Sequence, residues 1–532
     1  MTRRSIATRD LGLLLAAVVA AGVVAALSRQ DANWDLKNYH FYNAWAFVHG
    51  RLDVDLAPAQ LQTYLSPLLD LPFYGMVAAN WPPRLIAFVL AVPAGIGAFF
   101  LVKVLGILFG ALPPAERRNH VAFAALIGLT AADPAALLAS TMNEWPGAAL
   151  TMAALWLLVR RQVDDGPPAR TLVAAGFLSG VAAGLKLTAA TFSVGLCAAL
   201  LLRRPFVRRA LPDAALFGVA VLCGLALTAG SWFHAMYARF GNPLFPFYNE
   251  IFRSPWWEAQ PVLLQQFGPR SPLEWLYFPL LLFRDTARLV ATSAFRDWRL
   301  PVLYVAALAA AIAFVVRRRD GTAPAPVGPV RAWRFVIVFW LVSYMVWLKV
   351  HGIYRYIIPL ELLAGALLLP CLRWIFAPRA ANIATVWVTV IVLALTRYPQ
   401  WERVPFGERY VDVHVPPVEP HALVMLLSDE PMSYVLPFFP ADARFVGARS
   451  NFIAPGMTNR LATEIARAIR EHDGPLYSLS IPAAGDDVLA AHHLRRDRQR
   501  CGAIVSNLTS RPLEMCRLRR VDAAAAPADP AR

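Results

Sequence analysis

Long apolar runs, separated by short arginine-rich segments, constrain the fold more than any other feature of this sequence. The first run, residues 11–27, has 17 residues without a charge, close to the length with which an α-helix crosses a bilayer. Across the 532 residues, 58% are hydrophobic and only 16% are charged, whereas soluble proteins average about 25% charged residues. The sequence therefore predicts a mainly α, polytopic transmembrane helix bundle.

The arginines between these runs predict how the helices are oriented. The chain has 51 basic and 35 acidic residues and a formal net charge of +16. Much of the excess lies in clusters at the ends of apolar runs, such as Arg317, Arg318 and Arg319, and such clusters face the cytoplasm. Together they predict about 11 spans, a cytoplasmic N-terminus and an outer C-terminus. They also explain the basic charge without nucleic acid, for which the sequence has no motif.

A change of composition divides the chain at residue 397. Residues 1–396 hold the predicted spans, with a first outer loop at 28–83 and a long aromatic one at 238–300. Residues 397–532 alternate short apolar runs with one amphipathic segment, the pattern of a small α/β domain. If this domain lies outside the cytoplasm, Cys501 and Cys516 could form a disulfide. The residues from Asp522 onward predict a disordered tail.

Several charged residues are not explained by the orientation rule. Charges in or beside a bilayer are costly, so each of these residues is a candidate for function. They lie at the predicted outer ends of spans: Asp31, Asp35, Glu144, Lys186, His351 and Arg355. If the stretch after the first span is helical, Asp31 and Asp35 share one face because they are four residues apart. Glu361 lies deeper, inside the tenth predicted span.

Each candidate also has a structural alternative. Asp31 could be solvated, and Glu144 could stabilise the start of a helix. Lys186 could extend its amine to lipid headgroups, and Arg355 could anchor a helix end. Asp133, which precedes a proline, predicts a turn or kink and is assigned no chemistry.

Acids and bases on one membrane face suggest a particular chemistry. A carboxylate can take the proton of a hydroxyl that attacks an activated sugar carbon. Lysine and arginine can hold the phosphate of a lipid carrier and stabilise it as it leaves. The combination predicts sugar transfer from a lipid phosphate, with both substrates delivered at the bilayer surface.

The order of the motifs resembles the GT-C superfamily of integral-membrane glycosyltransferases, which includes protein O-mannosyltransferases and aminoarabinose transferases. Asp35, Tyr39 and Gly50 stand at the offsets of the acid, tyrosine and glycine in that group's first outer loop. GFLSGVAAGLKLTA (176–189) resembles its glycine-rich helix followed by lysine, and KVHGIYRYIIPL (349–360) resembles its Arg-Tyr-x-x-Pro segment. GNPLFPFYNEIF (241–252) and SDEPMSYVLPFFP (428–440) resemble an outer loop and the start of a periplasmic domain. The sequence departs from the group at Leu36. In that group two acidic residues stand next to each other, whereas here a leucine follows Asp35.

The resemblance implies an inverting transfer from a polyprenyl-phosphate sugar at the outer face of a bacterial inner membrane. Asp35 would be the general base, with Asp31 or Glu144 orienting the base or the acceptor. The other implied roles are phosphate binding by Lys186, His351 and Arg355, and a substrate loop with Asn38, Tyr39 and Tyr42. The acceptor, whether glycan, lipid or protein, is not identified. No metal is assigned, although a divalent metal stays open.

Three other classes of membrane protein remain as alternatives. A multi-pass transporter would suit the spans, but transporters usually have internal repeats, and none is visible here. A polysaccharide polymerase or ligase would use a lipid-diphosphate donor instead. A structural or receptor-like protein with a decayed site is a third reading, which the joint presence of Asp35, Lys186 and Arg355 disfavours.

Overall fold

The computed structural model describes residues 3–162, 168–203, 207–260, 267–284 and 293–521. The predicted tail from Asp522 lies outside these residues. The chain groups into two compact units. Unit 1 comprises Met1–Leu27, Phe88–Ser231 and Leu263–Trp401, and unit 2 comprises Ser28–Ala87, Trp232–Val262 and Glu402–Arg532. Composition places one boundary at residue 397, whereas the chain contacts also assign the whole first outer loop, 28–83, to the unit that holds the C-terminal residues.

Unit 1 is almost entirely helical, which satisfies the backbone polar groups within each segment, as a bilayer requires. Its longer helices are Arg3–Leu27, Val92–Leu108, Pro114–Leu129, Glu144–Val159, Ala169–Leu185, Ala190–Leu201, Pro272–Leu281, Arg299–Arg319, Val330–Val350, Ala364–Ile375 and Pro378–Leu395. Its short helical segments are Ala132–Ala136, Leu187–Ala189, Tyr354–Ile357 and Ile358–Leu362. Two helices, Pro83–Leu90 and Val207–Phe240, contribute residues to both units.

Six helices within the described residues are long and apolar enough to cross a membrane. They are Thr8–Leu27, Pro83–Leu108, Arg208–Phe240, Arg299–Arg319, Val330–Val350 and Pro378–Leu395. A seventh arises if Tyr354–Leu362 and Ala364–Ile375, which are bent by 53°, form one span. Shorter apolar helices occupy Glu144–Val159, Ala169–Leu185 and Leu187–Leu201. The mainly helical class with candidate membrane spans is confirmed, and the count of about 11 stays a prediction.

The glycine-rich helix Ala169–Leu185 packs closely against Val207–Phe240. A Cβ on Gly180 would lie 2.0 Å from the carbonyl oxygen of Val221. In the reverse direction, a Cβ on Gly224 would lie 2.3 Å from the carbonyl oxygen of Phe177. Small residues let helix backbones approach this closely in membranes. The helix ends at Leu185, and Lys186 follows in an extended conformation.

Unit 2 contains a six-stranded mixed sheet. Its strands are β3 (Val413–His414), β4 (Leu423–Leu427), β5 (Arg444–Arg449), β6 (Leu476–Ser480), β7 (Leu494–Ser506) and β8 (Leu513–Arg520), in the order β3-β7-β8-β6-β4-β5. β4 is parallel to β5 and β6, and the other neighbours are antiparallel. The amphipathic segment forms helix Arg460–Glu471, whose first turn is capped by Asn459 through the N–H of Ala462. The predicted C-terminal sheet domain is therefore confirmed.

Unit 2 has further short elements outside this sheet. A two-stranded ribbon joins β1 (Gln30–Asp31) to β2 (Arg403–Val404). The remaining helical segments are Leu36–His40, Phe41–Val48, Arg51–Asp53, Gln60–Tyr64, Leu71–Ala78, Asn249–Phe252, Ser433–Phe438 and Asp486–Ala491. Cys501 and Cys516 oppose each other on β7 and β8 and are joined by a disulfide.

The first outer loop covers the β5 edge of the sheet. The N–H of Leu56 donates to the carbonyl of Phe445 at 3.0 Å, and the N–H of Gly447 donates to the carbonyl of Leu56 at 2.8 Å. The guanidinium of Arg51 donates to the carbonyl of Ala443 at 2.5 Å. These bonds occupy an edge that would otherwise expose unpaired backbone groups, which explains why loop and sheet belong to one unit.

Candidate functional site

A small cavity in unit 1 brings together three of the predicted site residues. Its volume is about 20 Å³, and it is lined by Glu144, Lys186 and Arg355. Glu144 begins helix Glu144–Val159, Lys186 follows the end of Ala169–Leu185, and Arg355 lies in the turn Tyr354–Ile357. Residues more than 200 positions apart in sequence thus meet at helix ends, where polar groups need not be buried in the apolar helix bodies.

The three side chains form one network of ion pairs. The Nζ of Lys186 donates to Oε1 of Glu144 at 2.5 Å and to the carbonyl of Met142 at 2.6 Å. The Nε of Arg355 lies 3.7 Å from the same Oε1. The side chains of Lys186 and Arg355 are 18% and 17% exposed. Two cations facing one carboxylate leave a net positive charge, which suits an anion such as a phosphate.

Two cavity residues were missed by the sequence analysis. The ring of Tyr356 has its centroid 5.5 Å from Nζ of Lys186 and 5.3 Å from Cζ of Arg355, within the range of cation–π contacts. Thr188 also lines the cavity and offers a hydroxyl. Tyr356 belongs to the Arg-Tyr-x-x-Pro segment, so the signal for it was present in the sequence. Nothing in the sequence singles out Thr188.

His351 is not one of the residues that line this cavity, although its predicted role in phosphate binding requires it to be there. Its ring packs edge-on against Tyr356, with 5.6 Å between the ring centroids. Burial lowers the pKa of His351 to about 4, so the imidazole is neutral at pH 7 and adds no positive charge. A direct role in phosphate binding stays a prediction and would be limited to a neutral N–H donor.

A second cluster of charges in unit 1 is fully buried. The side chains of Asp297 and Arg299 are both 0% exposed and lie 2.9 Å apart. Arg299 also donates to the carbonyl of Ile127 at 2.6 Å, to the carbonyl of Thr130 at 2.6 Å and to the hydroxyl of Thr396 at 2.7 Å. The sequence analysis assigned none of these residues a function.

Asp133 and Glu361 are buried near this second cluster. The backbone N–H of Asp133 points at Oε1 of Glu361 at 3.5 Å, and neither Oε2 of Glu361 nor Oδ2 of Asp133 has a hydrogen-bond partner among the described residues. Burial raises the pKa of Asp133, and the charge of Glu144 raises it further. The predicted turn at Asp133 is in fact the first turn of helix Ala132–Ala136.

The predicted base, Asp35, lies in unit 2. It is 6% exposed and directly precedes the π-helix Leu36–His40, a rare conformation that is frequent at functional sites. The hydroxyl of Tyr39 lies 3.4 Å from Oδ2 of Asp35. The four-residue spacing that carried the resemblance thus corresponds to a contact between the two side chains.

Asp31 and Asp35 do not share a helical face. Asp31 belongs to β1, where it pairs with Arg403 of β2, and its Oδ2 accepts from the amide of Asn33 at 2.7 Å. The condition for the predicted face is not met, because strand pairing holds the chain extended before the helix begins. Asp31 is 1% exposed, so the alternative of a solvated carboxylate is wrong as well.

The two other residues of the predicted substrate loop make contacts within unit 2. The amide of Asn38 lies 3.4 Å from the carbonyl of Ala59. The hydroxyl of Tyr42 donates to Oδ2 of Asp55 at 2.7 Å, and the same carboxylate is paired with Arg51. Burial, followed by the charge of Asp55, raises the pKa of Tyr42 well above its usual range, so its hydroxyl stays a hydrogen-bond donor. These contacts stabilise the fold of the loop.

A histidine–aspartate pair in the same loop was also missed. Nδ1 of His40 lies 2.7 Å from Oδ1 of Asp70, and both side chains are about 5% exposed or less. Nε2 of His40 has no hydrogen-bond partner among the described residues. The carboxylate holds the proton on Nδ1. The sequence does not indicate this pair, because His40 lies in a stretch of aromatic residues and Asp70 is 30 positions away.

Comparison with known proteins identified two crystal structures. No protein-family model matches the chain, and no curated protein does. One structure is ArnT from Cupriavidus metallidurans bound to undecaprenyl phosphate, with a TM-score of 0.44 and 12% identity over 99% of this chain and 100% of that chain. The other is the same protein in the apo state, with a TM-score of 0.43 and 14% identity over 96% and 98%. The proposal that follows rests on the residues described above.

Proposed function

We propose that the protein is a membrane glycosyltransferase that moves a sugar from a polyprenyl-phosphate carrier to an acceptor hydroxyl at the outer face of a bacterial inner membrane. The observation that carries this proposal is the cavity in unit 1, where Lys186 and Arg355 both lie within ion-pair distance of the carboxylate of Glu144. A site with surplus positive charge at the ends of apolar helices fits an anion that is attached to a membrane lipid.

The cavity residues would act on the phosphate as it leaves. When the bond between the sugar carbon and the phosphate oxygen breaks, the electron pair stays on that oxygen. Lys186 and Arg355 would stabilise the charge that develops there, because preformed donors need no rearrangement during the reaction. Glu144 pairs with both cations before the lipid binds, and the neutral hydroxyl of Thr188 would add a further donor.

Asp35 would take the proton of the acceptor. The hydroxyl oxygen attacks the sugar carbon from the side opposite the phosphate, so configuration inverts, and the proton passes to the carboxylate of Asp35. Tyr39 would orient that carboxylate through the contact between its hydroxyl and Oδ2. Asp31, tied to Asn33 in the same segment, would support the segment and not the chemistry. The divalent metal that the sequence leaves open is not assigned to any residue.

Sugar transfer in proteoliposomes tests the proposal. The protein would be supplied with a polyprenyl-phosphate sugar and a crude envelope acceptor fraction, and Asp35→Asn would be compared with Asp53→Asn. Asp53 is a matched control, because it lies in the same loop and its side chain is 89% exposed. We expect transfer by the wild type and by Asp53→Asn, and a loss of about 10²-fold or more in Asp35→Asn.

Three outcomes would contradict parts of this proposal. Full transfer by Asp35→Asn would exclude Asp35 as the base. Transfer from a lipid-diphosphate donor alone would favour a polymerase or ligase. Substrate-dependent flux across the liposome membrane without a covalent product would favour a transporter.

A further inference from the structure

A second cavity lies wholly within unit 2 and has no part in the proposed chemistry. Its volume is about 430 Å³, which is in the range of sites that bind small molecules. One wall follows helix Leu71–Ala78, and the other precedes β3. The lining residues that matter here are Asn80, Trp81, Glu408, Arg409 and Tyr410.

The wall before β3 is held rigidly by one asparagine side chain. Nδ2 of Asn507 donates to the carbonyls of Arg409 and Tyr410 at 3.0 and 3.2 Å, and its Oδ1 accepts from the N–H of Asp412 at 2.9 Å. The amide of Gln30 donates to the carbonyl of Tyr410 at 2.7 Å. The backbone of this wall is therefore ordered before any ligand binds, which lowers the entropy cost of binding.

The opposite wall presents a tryptophan to the cavity. Helix Leu71–Ala78 ends in a turn in which Asn80 has a left-handed backbone with φ of 52°, a conformation that asparagine tolerates better than most residues. The N–H of Trp81 closes the turn by donating to the carbonyl of Met76 at 3.0 Å. This turn directs Trp81 outward, and it is 42% exposed.

The polar side chains of this cavity are unused. Glu408 and Arg409 are adjacent, opposite in charge and exposed. Neither side chain makes an ion pair or hydrogen bond with any residue that the structure describes, and the same holds for the amide of Asn80 and the indole N–H of Trp81. The cavity thus offers a free carboxylate acceptor, three free donor groups and an aromatic face.

We propose that this cavity binds a carbohydrate. Each sugar hydroxyl both donates and accepts, so one ring can bind Glu408 and Arg409 together, while its apolar C–H face packs on Trp81. A phosphate would be repelled by Glu408, and an acyl chain would leave four polar side chains without partners. The inference deepens the proposed function by giving it a separate sugar-binding site, and the binding can be measured without turnover.

Binding of methyl glycosides to the full-length protein in nanodiscs tests the inference, by saturation-transfer NMR over a panel of methyl hexosides and pentosides. We expect saturable binding of at least one glycoside. Trp81→Ala should weaken that binding about tenfold through loss of the aromatic contact, and Glu408→Gln should weaken it severalfold. Trp387→Ala is the matched control, because Trp387 is 61% exposed on another helix, and it should bind as the wild type does.

Competition identifies the source of the sugar. Displacement of the glycoside by a polyprenyl-phosphate sugar, but not by polyprenyl phosphate alone, would show that the cavity holds the sugar of the donor, and the inference of a separate sugar-binding site would fail. Binding that neither lipid displaces would assign it to a glycan acceptor. The inference fails if no glycoside of the panel binds saturably, or if Trp81→Ala and Glu408→Gln both bind as the wild type does.

The same variants separate this inference from the proposed function. If the wild type transfers no sugar but binds glycosides through Trp81, the proposed function fails and the cavity assignment stands. If transfer depends on Asp35 while glycosides do not bind, the reverse holds. A Trp81→Ala protein that loses only its stability in the bilayer would show that Trp81 is an interfacial anchor, which would overturn the inference.

Discussion

Two clusters of charges in unit 1 use the same residue types with opposite results. In the cluster of Asp297 and Arg299, both side chains are 0% exposed and Arg299 is satisfied by carbonyl and hydroxyl oxygens as well as by the carboxylate. In the cluster of Glu144, Lys186 and Arg355, the cations are partly exposed and share one carboxylate beside a cavity. Completed hydrogen bonding indicates a structural role, whereas surplus charge beside a cavity indicates a binding role.

The difference follows from the cost of burying charge. A buried ion loses hydration worth several kcal/mol, which only a full set of partners offsets. The Asp297 and Arg299 cluster meets that requirement without a ligand. The cavity cluster keeps contact with solvent and can accept an anion, so the two clusters should respond to substitution in different measurements.

Removal of Arg299 is expected to have the largest effect. Arg299→Ala leaves Asp297 buried without its countercharge, which costs about 3–5 kcal/mol of stability. Thermal unfolding of the detergent-solubilised protein measures this loss, with Arg331→Ala as an exposed control at the start of helix Val330–Val350. The double variant Asp297→Asn/Arg299→Met should recover much of the stability, since it removes both members of the buried ion pair and leaves neither charge without its partner. If Arg299→Ala unfolded at the wild-type Tm, the cluster of Asp297 and Arg299 would not have the structural role assigned to it.

The sequence was sufficient to predict the cavity cluster but not the buried one. Glu144, Lys186 and Arg355 stand at the predicted outer ends of apolar runs. The rule that places basic clusters on the cytoplasmic side does not explain charges there, so they can be recognised from the sequence. Asp297 and Arg299 lie in a polar stretch, RDWRL, that reads as an ordinary loop. Their burial arises because residues near 127, 130 and 396 surround them, and contacts over such sequence distances leave no local pattern.

The fold of unit 2 was predictable in the same partial way. β4 is an apolar run of five residues, and β5 and β6 each contain a shorter apolar stretch; short apolar runs predict buried strands. The first half of β7, LRRDRQR, is charged and does not read as a strand, yet its residues 494–496 pair with β8 through their backbone before the register shifts ahead of Cys501. Backbone pairing in a half-exposed strand does not need apolar side chains, so periodicity could not identify this half of β7.

Acid is expected to destabilise the region beside the cavity cluster through His351. The pKa of His351 is about 4 in the folded protein and about 6.5 in the unfolded chain. The unfolded chain binds more protons than the folded protein between these two pH values. The contribution of His351 to the free energy of unfolding is therefore complete above pH 6.5, and about 3 kcal/mol of it is lost as the pH falls toward 4. His351→Gln should flatten this part of a Tm–pH profile, while His414→Gln, at an exposed position, should not. An unchanged profile for His351→Gln would show that the ring is not buried.

Loss of a cation from the cavity should weaken phosphate binding and leave stability nearly unchanged. Lys186→Ala removes one charge-assisted hydrogen bond to the ligand, and such bonds contribute about 1.5–3 kcal/mol, so polyprenyl-phosphate affinity should fall about 10- to 100-fold. Binding to nanodisc-embedded protein by fluorescent lipid competition measures this, with Lys349→Ala as an exposed control. If Lys186→Ala unfolds the protein while binding is kept in the folded fraction, the two clusters would not differ in role.

Removal of the shared carboxylate of Glu144 should have the smallest effect. It should raise the affinity for polyprenyl phosphate, whereas loss of a cation lowers it. Glu144 competes with an incoming phosphate for Lys186 and Arg355, so Glu144→Gln should strengthen polyprenyl-phosphate binding severalfold, since a neutral amide binds the two cations less strongly than a carboxylate does. The amide keeps the shape and one acceptor oxygen, so a packing defect is not expected. The affinity gain should shrink as salt is added, because added ions screen the uncovered charge. Weaker binding in Glu144→Gln would mean instead that the carboxylate is needed to orient the cations, which would move Glu144 to the structural side of the comparison.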